Sequence, residues 1–170
     1  MERQGKIPEE RAAHAAIALP AGVRFVAHEF AREQVCGSCN ERRRPTHMTQ
    51  EHFPGIDFSY IESDKDKHFQ KYEESGEHGK VVELRALEFL KWLLARPESR
   101  IAVVAHCSII RFKLLALTEG QPKAMRNSLD PWRHFDNCEM RGYTLVGTSW
   151  QKLIDERIHN LLHSKEDSSE

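Results

Sequence analysis

His106 is the residue whose position promises most. It follows the apolar run Ile101-Ala102-Val103-Val104-Ala105 and precedes a stretch of helical spacing that Ser108 could cap. In open α/β sheets ligands bind at the carboxyl ends of the strands. The free N–H groups and positive dipole end of a helix start suit phosphate or carboxylate, and an imidazole there can donate to the same anionic oxygen. The plainer alternative is a histidine that satisfies a backbone carbonyl at a strand end. Glu33 with Arg42, Arg43 and Arg44 makes a second group. Guanidinium groups clamp phosphate oxygens with paired donors and keep their charge, and a nearby carboxyl can act as general acid for a leaving oxygen. A solvated charged loop is the alternative reading of these residues. Cys36-Gly37-Ser38-Cys39 offers a third chemistry. Structural zinc would need further ligands from His28, His47 and His52, which lack regular spacing. A redox pair ordinarily opens a helix after a strand, whereas this one sits in polar sequence.

The elements that would carry these residues follow from periodicity and punctuation. Residues 9–19 are Ala-rich between Pro8 and Pro20 and predict a helix, and residues 23–27 predict a short strand. Residues 33–80 read as long, polar and irregular. Within them 63–80 is densely charged and broken by Gly76 and Gly79, which predicts a surface insert over the pocket mouth. Val81, Leu84, Leu87, Leu90 and Leu94 form one stripe of an amphipathic helix that ends before Arg96-Pro97. Residues 101–105, bounded by Arg100 and His106, predict a strand buried on both faces. Residues 108–118 resume helical spacing and stop at Gly120, residues 140–147 predict a later strand, and residues 150–163 a terminal helix. Helix, buried strand, helix is an α/β alternation: a three-layer, mostly parallel sheet flanked by helices. One domain over 7–163 with a polar tail at 164–170 is expected.

Composition narrows the function classes. With 170 residues and 39% apolar content the chain can fill one ordinary core, so wholesale disorder is excluded. No apolar run approaches the roughly 20 residues of a membrane span. The 25 basic and 26 acidic residues are well mixed, for a net charge of −1, which gives no general pull toward nucleic acid or acidic membranes. The start is polar and lacks a signal-peptide core, so the four cysteines read as reduced thiols of a cytoplasmic protein.

The run ending in His106-Cys107-Ser108 resembles the second histidine motif of the histidine phosphatase superfamily, also called phosphoglycerate mutase-like. Phe30-Ala31-Arg32-Glu33 is similar to its acidic segment. Cys39-Asn40-Glu41-Arg42-Arg43-Arg44, Phe53-Pro54-Gly55-Ile56-Asp57-Phe58 and Phe135-Asp136-Asn137-Cys138-Glu139 look like plant- and alga-type members, in the same order, over residues 7–147. The resemblance implies that His106 hydrogen-bonds a transferring phosphoryl group and that Glu33 protonates the leaving oxygen. It implies that one of Arg42 to Arg44, with Arg43 preferred, holds phosphate or substrate. Pro8-Glu9-Glu10-Arg11 resembles the family's Ser-Pro-x-x-Arg stretch, so Arg11 would match its phosphate-pocket arginine, with Ile7 in place of the serine. A small phosphorylated molecule is the implied ligand, with no cofactor and no metal, and phosphatase chemistry rather than glycolytic mutase chemistry.

The chain departs from the family pattern at its nucleophile. The family's Arg-His-Gly motif ends a first strand upstream of the arginine segment, and neither Arg133-His134-Phe135 nor Glu77-His78-Gly79 fits that place. Loss of the first strand would leave residues 101–105 with an unpaired apolar edge, so self-association is expected. Impaired catalysis is expected too, because the covalent route needs its phosphate acceptor. Three functions therefore compete: a histidine phosphatase, a non-catalytic anion-binding pseudoenzyme, and a zinc or redox module built on Cys36 and Cys39.

Overall fold

A computed structural model describes residues 22–37, 41–118, 123–124, 126, 135–144 and 149–163. The helix expected over 9–19, Arg11 and Cys39 lie outside the described residues, as do the polar tail and the second half of the strand expected over 140–147.

The predicted first strand forms as β1 (Phe25–His28) and pairs in parallel with β2 (Ile56–Tyr60). Phe25 lies opposite Ile56, Val26 opposite Asp57 and His28 opposite Tyr60, with an irregularity between Val26 and His28. Parallel neighbours need a crossover. Among the described residues it runs through a 3-10 turn (Glu29–Ala31) and helix α1 (Thr46–His52).

Residues 33–80 are thus more ordered than their polarity suggested, because they hold α1, β2 and a further helix, α2 (Lys67–Tyr72). Asp66 caps α2 by accepting from the Phe69 N–H, and Phe69 and Tyr72 bury against Val35. Asp66 and Glu77 are themselves buried, at 4% and 5% exposure, so residues 63–80 are anchored to the core through four buried side chains while most of their other residues stay exposed. Two of the charges that looked solvated, Asp66 and Glu77, are paired inside the fold, a tertiary arrangement that local charge density cannot show.

The amphipathic stripe forms helix α3 (Gly79–Leu94), with Ala95 as its C-cap just before Arg96-Pro97. Helix α4 (Cys107–Thr118) and helix α5 (Ser149–His163) pack on it. Leu87 and Leu90 from α3, Ala116 and Leu117 from α4, and Trp150, Ile154 and Ile158 from α5 close one core. Val82 and Ala86 meet Ile109 in another cluster, joined by Ala105 and Phe112. Each of the larger aliphatic side chains contributes about 2 kcal/mol on burial. The sheet is tied to α3 through His28, whose ring stacks on Tyr60 at 5.2 Å and meets Trp92 edge-on at 4.5 Å and Phe89 at 5.2 Å. The result is an α/β fold with a small parallel sheet flanked by helices.

Two expectations fail. Residues 101–105 do not form a buried strand: they lie outside any helix or strand, with Ile101 42%, Val103 39% and Val104 94% exposed. Among the described residues β1 takes β2 as its partner, and no backbone hydrogen bond joins 101–105 to either strand. An apolar run becomes a buried strand only when a neighbouring strand takes its N–H and C=O groups, and periodicity cannot reveal that neighbour. Residues 140–144 are likewise outside any strand, and Met140 is 94% exposed.

Candidate functional site

The crossover after β1 delivers Glu33, and the segment between α3 and α4 delivers His106. His106 immediately precedes α4, and its carbonyl accepts the Ile110 N–H at 3.0 Å, so it is the residue on which the helix starts. Ser108, expected as the cap, lies inside the first turn. The first N–H groups of a helix have no acceptor within it and carry the positive end of the dipole. His106 is therefore beside an anion-attracting terminus, with its side chain 62% exposed.

Its Nδ1 lies 3.8 Å from Glu33 Oε2. That is ion-pair range and too long for a hydrogen bond. The other carboxylate oxygen, Oε1, accepts the Gln34 N–H at 2.8 Å, which turns Oε2 toward the ring.

Glu33 sits on a backbone held by buried charge. Glu77, fully buried in its side chain, accepts from the Val35 N–H at 2.8 Å, from Arg85 Nε at 3.0 Å and Nη2 at 2.8 Å, and pairs with His68 Nε2 at 2.7 Å. Glu77 also bonds the same segment through its backbone: its N–H donates to the Val35 carbonyl at 2.7 Å, and its carbonyl accepts from Gln34 Nε2 at 3.0 Å. Arg85, only 4% exposed, reaches across to the carbonyls of Arg32 at 3.0 Å and Glu33 at 3.4 Å. Burial pushes the Glu77 carboxyl up, but the His68 and Arg85 contacts outweigh it and hold it at about 2. Asp66 is arranged alike. Burial raises its carboxyl, and bonds from Arg32 and from the Phe69 and Arg43 N–H groups bring it to about 2.

The arginine triplet is placed differently from Glu33 and His106. Arg43 Nη1 donates to Thr46 Oγ1 at 2.7 Å and to the Asp64 carbonyl at 3.1 Å, and Nη2 donates to the Ser63 carbonyl at 3.0 Å. Its Nη donors thus tie α1 to the chain before α2, and its Nε lies 3.4 Å from Glu29 Oε2, so its ion-pair partner is Glu29 and not Glu33. Arg42 and Arg44 are exposed. Cys36 is exposed, and desolvation followed by the carboxylates of Glu41, Glu33 and Glu77 pushes its thiol up, the wrong direction for a reactive thiolate. Among the described residues no three His, Cys, Asp or Glu side chains gather as a metal site would need.

Sequence reasoning missed Arg32, Asp66, Glu77 and Arg85. Asp66, three residues before Phe69, carries a helix-cap signal that was available. Glu77 and Arg85 carry none, because their partners lie far away in the chain.

The description "Histidine phosphatase superfamily (branch 1)" matches residues 8–153. The chain is 32% identical over 122 residues to "Phosphoglycerate mutase-like protein" of Arabidopsis thaliana, covering 72% of this chain and 44% of that protein. It is 33% identical over 125 residues to "Phosphoglycerate mutase-like protein 1" of the same plant, covering 73% and 43%. To "Phosphoglycerate mutase-like protein 2" it is 33% identical over 106 residues, covering 62% and 30%. The matched stretch is less than half the length of each of these relatives. No solved structure matches the chain.

Proposed function

Because the chain belongs to the histidine phosphatase superfamily, branch 1, we propose that it is a phosphoglycerate mutase-like domain for phosphomonoesters, with His106 and Glu33 as its working pair. In this reading the exposed imidazole donates to a phosphoryl oxygen held at the start of α4, and the Glu33 carboxyl protonates the leaving oxygen. One observation carries it: two separate segments bring the His106 ring and the Glu33 carboxylate to 3.8 Å of each other beside a helix N-terminus. A phosphoryl oxygen on the imidazole would then have a proton donor within one atom's reach.

The 170 residues contain no Arg-His-Gly triplet. Covalent phosphoryl transfer splits the reaction through a phosphorylated nucleophile, and without one the barrier is not divided. By themselves these residues are expected to bind phosphate and to turn over phosphomonoesters weakly or not at all. A non-catalytic anion-binding module is the second reading, favoured by the same missing triplet.

Phosphorus-NMR titration of the chain with inorganic phosphate, beside a phosphomonoester turnover assay, tests both. Binding that His106→Ala weakens supports the pocket, and accompanying turnover lost in His106→Ala supports residual catalysis over the binding module. Absence of binding and turnover in the wild-type chain refutes the proposal.

A further inference from the structure

Glu33 follows the short crossover turn, outside any helix or strand, and a carboxyl carried on such a backbone needs something else to aim it. The structure supplies a buried ion pair. Arg85, on the face of α3 that also carries the core residues Val82 and Ala86, sends one guanidinium edge to Glu77 and the other to the carbonyls of Arg32 and Glu33. Glu77 takes the Val35 N–H, so the pair grips the chain on both sides of the residue it aims. Such an arrangement is costly to build. Two charges leave water, and an apolar pair of similar volume would often serve stability as well or better. An apolar pair could not, however, hold three backbone groups of residues 32–35 in fixed directions.

We infer that Arg85, fixed by Glu77, is a positioning residue that holds the Glu33 carboxylate against His106. The inference rests on the proposed working pair. Arg85 touches neither His106 nor any group that would meet substrate, and it acts only through the backbone. A planar guanidinium has the five donors in a rigid fork that this bridging needs, and a lysine ammonium does not.

The test uses the full chain and a readout that mere loss of stability would not move, the side-chain NOE between His106 and Glu33, together with amide exchange at Gln34 measured relative to the core amides of α3. Arg85→Lys keeps the charge opposite Glu77. While the spectrum stays dispersed, it is expected to lose the His106–Glu33 NOE and to exchange the Gln34 amide about tenfold faster, the factor that one lost hydrogen bond supplies. The double variant Glu77→Met with Arg85→Met, an apolar replacement of the buried pair, is expected to fold and show the same loss. Persistence of the NOE in either folded variant overturns the inference. In the wild-type chain the scalar coupling across the bond from Arg85 Nη1 to the Arg32 carbonyl must be observed, and its absence overturns the inference whatever the variants do. Phosphate binding is recorded in the same samples. Failure of wild-type binding refutes the functional reading alone, whereas a surviving NOE refutes the positioning role alone.

Discussion

Lys113 is a buried amine that the fold does not reward. It lies on α4 at 6% exposure, its Nζ has no hydrogen-bond partner among the described residues, and it rests 3.6 Å from the centroid of the Phe89 ring. Burial first, then the charge of Arg85, lowers its ammonium from the ordinary 10.5 to about 7. His28, the other titratable group in contact with Phe89, adds no compensating negative charge. It is itself held at about 4 by burial and by Lys113, so its imidazole is neutral near pH 7. The gap between about 7 and 10.5 corresponds to about 5 kcal/mol against the charged form. That figure is net of whatever the ring face returns as a cation–π contact. Lys113→Met, which keeps the length and removes the charge, should therefore stabilise the chain by up to about 5 kcal/mol below neutral pH, or about 15 °C in Tm for a domain of this size. The sign with pH follows from proton counting. Below about 7 the amine is protonated both folded and unfolded, and the full penalty is present. Between about 7 and 10.5 only the unfolded chain holds the proton, so wild-type stability rises with pH and the variant's advantage shrinks. Urea unfolding of both chains at pH 6 and pH 10, compared as differences, reads this directly. A variant no more stable than wild type at pH 6, or an advantage that stays constant to pH 10, would refute the reasoning.

Glu77 and Asp66, with folded values of about 2 against ordinary values of 4.5 and 3.8, contribute stability that is present above those ordinary values and lost as pH falls toward about 2. Acid unfolding followed by circular dichroism should show that limb, and Glu77→Gln should flatten it. Asp66→Asn leaves Arg32 without its buried carboxylate partner and removes the negative charge facing the Arg43 N–H. It is expected to cost about 3 kcal/mol in urea unfolding; an unchanged midpoint would mean the pair is idle. The exposed apolar run at 101–105, which joins no strand among the described residues, should draw chains together. Val104→Lys, at a position 94% exposed, is expected to lower the associated fraction in sedimentation velocity without changing stability, and equal association in both chains would contradict this.

The elements that sequence alone revealed are those whose burial is local in origin. The stripe through Leu87 and Leu90 has helical period and a proline stop, so α3 was legible nearly to the residue. The same holds for α4, and for α5 with its Trp150, Ile154 and Ile158. Three further elements were hidden in 33–80 because charge concealed them. In β2 the alternation of Ile56, Phe58 and Tyr60 with Asp57 and Ser59 is a strand signal that the surrounding polarity masked, and α2 is a helix of six residues whose stability comes from the Asp66 cap and from burying Phe69 and Tyr72. Residues 101–105 erred in the opposite direction. Their composition is that of a central strand, but a central strand is a statement about two neighbours, and the described residues supply neither.

The site divides along the same line. His106 was legible because an apolar run followed by a helical one marks the junction where anions bind, and that junction is a local pattern. Glu33 was legible as a carboxyl near the arginine triplet, not as a partner of His106, and what aims it was invisible. Arg85 lies on the face of α3 where periodicity expects an apolar residue, and Glu77 sits in sequence that reads as solvated charge. Each looks like an error of patterning when considered alone. Together they form a pair whose surplus donors and acceptors face residues 32–35. A buried charge at an apolar position of a helix is thus the sign to search for when a candidate acid lies on irregular backbone. Rigidity that a strand would supply through its ladder must then come from side chains, and charged, fully bonded ones supply it with direction.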